Sequence, residues 1–268
     1  MSQPHLNVAI SAAERAGAMM RRQLEHVDSI PVTRKARHDY VSDIDRACEA
    51  EIVREISRFY PDHAILAEES GSQGESEHLW IIDPLDGTSN YLHGIPHFAV
   101  SISLQFRGKT ELGVVFDPMR DELFTAVRGK GAHLNKKRIR VSQRIKLDEA
   151  IIATAFPFRQ RQHMKTYLNI FNRLWEQAED FRRAGTASLD LAYVACGRVD
   201  AFFEIGLKPW DVSAGALLVR EAGGVVTDFT GNDKVEETDS VIAAPYKIMT
   251  AMRRIIEPRW KAAQAQPS

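Results

Sequence analysis

An apolar segment that ends in two closely spaced acids constrains this chain more than any other feature. The run Leu79–Ile82 favours a buried strand. Asp83 and Asp86 follow it directly, and Pro84 stiffens the turn between them. Gly87 then permits a backbone conformation that a side chain would hinder. The segment therefore predicts a strand that delivers two carboxylates to one turn at a sheet edge.

The residues of this turn suit both a metal ion and a phosphate group. Carboxylate oxygens, such as those of Asp83 and Asp86, are ligands for hard cations such as Mg²⁺. Thr88, Ser89 and Asn90 add hydroxyls, an amide and backbone N–H groups. Clustered N–H groups at a turn or a helix start suit phosphate. The combination points to metal-assisted phosphoryl chemistry.

Length and composition indicate an ordinary globular protein. The chain has 268 residues, of which 44% are hydrophobic and 26% charged. We expect one compact unit of two halves. Residues 1–147 would carry most metal ligands, and residues 148–268 would complete the site. The net charge of −1 does not suggest a nucleic-acid or membrane partner.

The cysteines and the apolar segments bear on the compartment. Cys48 and Cys196 lie far apart and form no CxxC pair, which argues against a zinc site or a disulfide framework. The N-terminus lacks the apolar core of a signal peptide, and no apolar run approaches the roughly 18 residues that span a bilayer. We expect a cytoplasmic protein without direct membrane association.

Helical and strand patterns alternate along the chain, which predicts sheets covered by helices in a layered α+β sandwich. Residues 28–38 are expected to form a loop or an irregular hairpin, and the polar residues 70–78 a loop. Helices are predicted over about 4–26, 43–59, 164–177, 186–196, 209–222 and 246–256, and strands over 64–67, 79–82, 98–106, 112–116, 123–127, 150–156, 199–205, 225–229 and 240–243.

Further acids recur at the ends of predicted elements. Taken singly, Asp45 and Asp211 are expected to cap helices, and Glu68 is expected to form a solvated pair with its neighbour Glu69. Taken together with the two acids of the main turn, they indicate one acidic site.

Several runs resemble the inositol monophosphatase family, and more closely its bacterial SuhB-type branch. The main signature stands at Trp80–Asn90, and the second at Trp210–Gly215 with Glu221–Gly224; two shorter runs stand at Asp39–Asp45 and Glu68–Ser70. The resemblance covers about residues 4–257. It implies the layered α-β-α-β-α sandwich of that family.

The resemblance also implies a set of metal ligands and catalytic residues. The family's ligands match the carboxylates of Glu68, Asp83, Asp86 and Asp211 and the backbone carbonyl of Leu85. Two or three Mg²⁺ ions per subunit are expected there, with inhibition by lithium. Glu68 would hold the attacking water, and Thr88, hydrogen-bonded to Asp45, would orient that water and accept its proton.

Substrate residues follow from the same resemblance. The phosphate would lie against Asp86 and the backbone N–H groups of Gly87 and Thr88. Glu204 matches a residue that hydrogen-bonds inositol hydroxyls, and Gly185, Thr186 and Ala187 match a loop lining that pocket. Lys35 matches a basic loop residue near the third metal, although a solvated lysine explains it equally well.

The implied activity is Mg²⁺-dependent hydrolysis of inositol-1-phosphate, or of a similar small polyol phosphate, by a homodimer. A fructose-1,6-bisphosphatase or a bisphosphate nucleotidase of the same fold is an alternative. The nucleotidases usually carry Lys-Glu-Phe where this chain has Ser89-Asn90-Tyr91. The bisphosphatases resemble the chain more nearly at that position.

A regulatory protein with secondary phosphatase activity is the alternative from another class. The segment Asp180–Arg183 matches the SuhB-type branch, some members of which are linked to RNA polymerase and transcription antitermination. Contact with RNA polymerase or Nus factors through Arg182 and Arg183 is therefore a further expectation. A solvated basic surface is the alternative explanation for these arginines.

Overall fold

The structure is a computed structural model that describes residues 3–24, 32–36 and 39–265, with the backbone alone described for 32–36 and 39–42. The helices are α1 Gln3–Leu24, α2 Asp43–Phe59, α3 Thr88–Leu92, α4 Met164–Trp175, α5 Ala187–Ala195, α6 Pro209–Glu221 and α7 Tyr246–Gln264. The strands are β1 Val32–Ala36, β2 Asp39–Ser42, β3 Ala64–Ala67, β4 Gly71–Gln73, β5 His78–Asp86, β6 Ala99–Phe106, β7 Lys109–Asp117, β8 Glu122–Val127, β9 Gly131–Leu134, β10 Lys137–Arg138, β11 Ile151–Thr154, β12 Asp180–Arg182, β13 Ala201–Ile205, β14 Val225–Thr227 and β15 Ser240–Ala244.

Two large sheets organise the fold. The first has eight strands in the order β10-β9-β8-β7-β6-β5-β3-β4, and the second has five in the order β12-β11-β13-β15-β14. The first sheet is antiparallel except for the parallel pair β3 and β5, whereas β11 runs parallel to both of its neighbours in the second sheet. Each predicted half contains one of these sheets, and the division at residue 147 stays a prediction.

The helices form three layers around these sheets. Helices α1 and α2 cover one face of the eight-stranded sheet, α5 and α6 lie between the sheets, and α4 and α7 cover the outer face of the five-stranded sheet. This arrangement is the expected α-β-α-β-α sandwich. Every layer buries apolar faces against the next, which is the general requirement for stacked elements.

The middle helices are buried around almost their whole circumference because sheets cover them on both sides. Eight of the nine residues of α5 are buried. At Gly113 in β7, an added Cβ would lie 2.9 Å from the backbone of Ala214 in α6, so a glycine is needed for this close approach. The two predicted halves are thus packed backbone against backbone near the second signature.

Helix α1 owes its position to small side chains. Ala9, Ala12, Ala13 and Ala16 recur at helical spacing and are fully buried. Tyr91 on α3 donates a hydrogen bond from its hydroxyl to the carbonyl of Met20 at 3.0 Å. This layer therefore supports the turn that carries the main signature.

Several elements differ from the sequence prediction, among them α7, β4 and β12. Helix α7 continues beyond residue 256 and through Pro258 because Trp260 is buried against Phe229, with 5.3 Å between ring centroids. Within the predicted loop 70–78, Gly71–Gln73 forms the edge strand β4, which pairs with β3. Strand β12 was not predicted, since its three residues are too few for a recognisable period.

Two further features concern the cysteines and the character of the helices. Cys48, on α2, and Cys196, at the end of α5, both carry free thiols. No helix in the described residues combines the length and the apolar character that a bilayer crossing requires. Of the predicted loop at 28–38, residues 28–31 and 37–38 lie outside the described part of the chain.

Candidate active site

Parallel pairing of β3 and β5 brings the ends of these strands together. Ala67 lies opposite Ile82 in the ladder, so Glu68 follows β3 at the level of Asp83. The backbone N–H of Glu68 donates to the carbonyl of Ile82 at 3.2 Å. The Glu68 carboxyl lies close enough to that of Asp83 to raise its pKa.

Strand β5 runs to Asp86, whereas the sequence predicted an end at Asp83. Its pairing with β6 is irregular between these two residues, and Pro84 lies within the irregularity, where a proline removes no regular ladder bond. The Asp83 Oδ1 accepts a hydrogen bond from the backbone N–H of Leu85 at 3.0 Å. This irregular strand end presents both carboxylates to the same cavity.

Gly87 joins the strand to α3 and meets the second half of the chain. Its φ of +94° is a left-handed conformation that favours glycine. An added Cβ would lie 2.6 Å from the Thr186 Oγ1. The signature therefore needs a glycine here for two reasons, backbone conformation and space.

Asp211 reaches the site from the start of α6. Its Oδ2 accepts a hydrogen bond from the backbone N–H of Lys208 at 2.7 Å, as a residue that caps a helix does. The same carboxylate belongs to a group with Asp83 and Asp86, whose ligand oxygens lie within 4.8 Å of one another. The capping role and the site role are thus combined in Asp211.

We call Asp83, Asp86 and Asp211 the acid cluster. Burial raises the pKa of all three carboxyls. The neighbouring charges of Glu68, Asp86 and Asp211 raise the pKa of Asp83 further. Burial and the charge of Asp211 together raise the pKa of Asp86 to about 7.

A divalent cation fits the acid cluster because it would favour the ionised form of every carboxyl. The ligand atoms are all oxygens, which suits hard cations. Among the described residues, no other group of three or more His, Cys, Asp or Glu side chains brings its ligand atoms this close together.

Thr88 and Asp45 form the expected pair. The Thr88 hydroxyl lies 3.0 Å from the Asp45 Oδ1 and 3.1 Å from the backbone carbonyl of Leu85, and it can donate its single proton to either. Asp45 belongs to the first turn of α2 and is fully buried. The pair therefore links the first helical layer to the cavity.

Two residues that the sequence analysis missed hold the acids in place. Ser188, in the first turn of α5, donates hydrogen bonds to the Asp86 Oδ2 from its backbone N–H at 2.7 Å and from its hydroxyl at 2.6 Å. Glu49, buried on α2, accepts hydrogen bonds from the backbone N–H groups of Glu69 and Ser70, both at 2.8 Å. Their roles arise from tertiary contacts that no local pattern reveals.

A cavity of about 510 Å³ opens beside the acid cluster. Glu68, Leu85, Gly87, Thr88, Gly185, Ala187 and Glu204 line it together with the cluster. Thr186 is buried instead, and its hydroxyl donates to the carbonyl of His97 at 3.0 Å. The structure thus brings the carboxylates of the predicted metal ligands and of Glu204 to one cavity, and it places Thr186 behind the cavity lining.

Two further buried acids lie near the cluster. Glu204, on β13, is 5% exposed and lines the cavity. Asp190, on α5, is 2% exposed, and its Oδ2 has no hydrogen-bond partner in the described structure. Burial raises the pKa of both carboxyls, and the charge of Asp86 contributes. Asp190 was missed, although an acid within an otherwise apolar helical run was a usable signal.

Comparisons with known proteins bear on this geometry. The model of the inositol monophosphatase family matches residues 1–264. The chain is 50% identical to a protein of Escherichia coli K12 named Nus factor SuhB, over 93% of this chain and 94% of that protein. The chain belongs to the inositol monophosphatase family. The resemblance to that family, which the two signatures indicated, is therefore confirmed.

Solved structures of the family have the same fold. The extragenic suppressor protein SuhB of Bartonella henselae is 44% identical, with a TM-score of 0.92 and coverage of 95% of this chain and 99% of that one. The inositol monophosphatase of Anabaena is 39% identical, with a TM-score of 0.86 and 96% of each chain covered. The layered sandwich expected from the sequence is therefore confirmed as the fold of this inositol monophosphatase family member.

The two arginines that were predicted to contact a partner lie in different parts of the structure. Arg183 lines the cavity, whereas Arg182 lies at the surface and forms an ion pair with Asp180. The backbone of Lys35 belongs to strand β1, so the residue is not in a loop, but its side chain lies outside the described part of the structure.

Proposed function

We propose that this protein is a Mg²⁺-dependent phosphomonoesterase that hydrolyses inositol-1-phosphate or a similar small polyol phosphate. The observation that carries the proposal is the acid cluster, in which oxygens of three carboxylates lie within 4.8 Å of one another beside an open cavity. Membership of a phosphatase family supports it.

The acid cluster, Glu68 and the Leu85 carbonyl would hold two or three Mg²⁺ ions. Bound there, the ions would supply the positive charge that activates a water molecule and stabilises the leaving oxygen. Glu68 lines the cavity and would accept a hydrogen bond from that water. When Thr88 donates to Asp45, its oxygen lone pairs are available to the same water. Glu68 and Thr88 would thus orient the water. Thr88 would accept the proton of that water while its own hydroxyl proton passes to Asp45.

The other side of the cavity suits a polyol. Ala155, Phe156 and Leu207 provide apolar lining, and Glu204 provides a buried carboxyl. A buried carboxyl requires hydrogen-bonding partners, and the hydroxyls of a sugar or cyclitol would supply them. The backbone of Gly87 and Thr88, at the start of α3, lines the same cavity and would contact the phosphate.

The test is phosphate release from inositol-1-phosphate, fructose-1,6-bisphosphate and adenosine-3′,5′-bisphosphate, with Mg²⁺ and with EDTA. We expect release that depends on Mg²⁺ and favours the inositol ester. Preference for either bisphosphate would retain the chemistry and overturn the substrate. Absence of release from all three, with Mg²⁺ bound, would overturn the enzymatic proposal.

Glu204 gives a sharper test of the substrate assignment. Glu204→Gln removes the charge and keeps the shape, so we expect altered preference among phosphate esters rather than a uniform loss. Equal loss of activity on all esters would mean that Glu204 does not read the substrate hydroxyls.

A second candidate function is contact with the transcription machinery. The name Nus factor SuhB, carried by a relative with 50% identity, favours it, and Arg182 is exposed on the edge strand β12. Retention of the full chain on immobilised RNA polymerase, compared between wild type and Arg182→Ala, tests this function. Equal retention would exclude Arg182 from the contact, and absence of retention would overturn the function.

The assembly and the environment of the enzyme complete the proposal. We propose a cytoplasmic homodimer that lithium inhibits, as the family resemblance implies. Light scattering of the purified chain at several concentrations would test the dimer. Titration of the phosphatase with Li⁺ at fixed Mg²⁺ would test the inhibition.

A further inference from the structure

Arg159 lies among the proposed metal ligands, although no sequence pattern drew attention to it. It follows β11, and its guanidinium carbon lies 5.1 Å from the centre of the Phe158 ring. Its side chain is 24% exposed and lines the cavity. A guanidinium held over an aromatic face is oriented more tightly than a solvated one.

The guanidinium bridges two carboxylates that come from the two predicted halves of the chain. Its Nη1 donates to the Asp211 Oδ2 at 3.2 Å, and its Nη2 lies 3.7 Å from the Glu68 Oε1. Asp211 begins α6, whereas Glu68 follows β3. Both acids are proposed ligands, so an organic cation contacts the groups that a metal would need.

The charge of Arg159 reaches beyond its two direct partners. It opposes the rise in the pKa of Asp86, Asp211 and Glu204 that burial causes. Part of the positive charge that the acids require is therefore supplied by the chain itself. A metal ion and this guanidinium would stabilise the same carboxylates, and like charges at short range repel.

We propose that Arg159 is a resident counter-cation that holds Glu68 and Asp211 together in the metal-free protein, competes with Mg²⁺ for them, and turns to the substrate phosphate once Mg²⁺ is bound. The inference rests on the proposed function. Arg159, Arg161 and Arg183 line the same cavity, so the displaced guanidinium remains beside the substrate. Its planar fork suits two phosphate oxygens.

The first test measures Mg²⁺ binding without substrate, by titration calorimetry on the full chain after removal of metal. Competition predicts that Arg159→Gln binds Mg²⁺ more tightly than wild type, by about tenfold for a coupling of ordinary size. The metal-free variant should also melt at a lower temperature, because its acids have lost a compensating charge. Arg161→Gln is the matched control, since Arg161 lines the cavity from an exposed position.

The outcomes separate this inference from the proposed function. Unchanged or weaker Mg²⁺ binding in Arg159→Gln, with binding intact in wild type, would overturn the competition and leave the phosphatase proposal standing. Failure of wild type to bind Mg²⁺ would overturn the proposed function and this inference with it.

The second test concerns the phosphate and separates KM from kcat. At saturating Mg²⁺, Arg159→Gln should raise KM for the phosphate ester about tenfold, the size expected for one lost charged hydrogen bond. Arg159→Lys keeps the charge without the fork and should recover part of the loss. A KM that stays at the wild-type value in Arg159→Gln would overturn the transfer to phosphate.

Discussion

The molecule contains two clusters of titratable side chains. Neighbouring groups of the chain satisfy the hydrogen bonding and charge of one cluster, but those of the other only in part. The acid cluster contains three carboxyls whose pKa burial raises, and the charge of Asp211 raises the pKa of Asp83 and Asp86 further. The other cluster is a ring stack of His5, Tyr60, His63 and His78. Centroid distances in the stack are 4.5 Å for His5–Tyr60, 4.8 Å for Tyr60–His63 and 4.4 Å for His63–His78.

The ring stack is satisfied in its neutral form. Trp80 donates a hydrogen bond from its indole N–H to the His63 Nδ1 at 3.1 Å, which occupies the ring lone pair. Burial and the neighbouring His78 and His5 lower the pKa of His63 to about 4. The acid cluster instead receives only part of the charge it needs, from Arg159. Buried titratable groups therefore indicate a ligand when the chain leaves the charge of their preferred state uncompensated.

Removal of one carboxylate from the acid cluster should have the largest effect on activity. Asp86→Asn removes a charge from the cluster, and we expect turnover to fall roughly a thousandfold, or about 4 kcal/mol of transition-state stabilisation. The metal-free variant should be at least as stable as wild type, because one of three mutually repelling charges is gone. Steady-state kinetics and thermal unfolding in EDTA measure the two effects.

A matched control for this variant is Asp180→Asn, whose carboxylate is exposed on β12. That substitution should leave turnover and Mg²⁺ binding unchanged. Near-normal turnover in Asp86→Asn would remove the acid cluster from the mechanism.

Ionisation of the acid cluster should make the metal-free protein less stable as pH rises. The pKa of Asp86 is near 3.8 in the unfolded chain and about 7 in the folded one, so the metal-free folded state binds more protons between these values. Stability without metal should therefore fall as pH rises through this range, by up to about 4 kcal/mol from this group. Saturating Mg²⁺ should reverse the loss, since it favours the ionised form.

Denaturant midpoints at about pH 5 and pH 7.5, in EDTA and in Mg²⁺, measure this dependence through the linkage relation. Asp86→Asn should show a smaller pH dependence in EDTA than wild type. Equal slopes in the two proteins would mean that Asp86 is not held protonated by its surroundings.

Only part of the site could be predicted from the sequence. Asp83 and Asp86 share one short signature, and Asp211 belongs to another, so local patterns were enough to find the cluster. Ser188 and Arg159 act across the cavity on acids that lie many residues away. Their contacts depend on how the middle helices and the loop after β11 pack, which no periodicity encodes.

The fold shows the same limit. Long periodic segments such as α2 were predicted to within a residue or two, because one face of each is buried. Strand β12 is too short to leave a pattern, and the end of α7 was placed too early because Pro258 normally stops a helix. In α7, burial of Trp260 outweighs that local preference.

The ring stack should show the opposite pH dependence, with a smaller size. Because the folded-state pKa of His63 is about 4 and the unfolded value is 6.5, its contribution is present above pH 6.5 and is lost as pH falls towards 4. The ring is partly open to solvent, which limits the effect to about 1–2 kcal/mol. His63→Gln keeps an acceptor for Trp80 and should reduce this acid-side loss, measured by urea unfolding between about pH 4.5 and 7.

His93→Gln is the matched control for His63→Gln. His93 is exposed at the end of α3, outside the stack, and its replacement should leave the acid-side slope unchanged. If His63→Gln and wild type lost the same stability on acidification, the stack would not be an acid-sensitive element.

The smallest effect is expected at Ser188, which compensates the acid cluster from within the chain. Ser188→Ala keeps the backbone donor to Asp86 and removes the hydroxyl donor. The two donors together lower the pKa of Asp86, so the variant should bind Mg²⁺ about three- to tenfold more weakly near neutral pH, the equivalent of one ordinary hydrogen bond of about 1 kcal/mol. The deficit should shrink at higher pH, where Asp86 ionises without help. Ser213→Ala, which removes a buried hydroxyl paired with Thr110, is the control, and equal Mg²⁺ affinities for the two variants at both pH values would show that Ser188 does not tune the cluster.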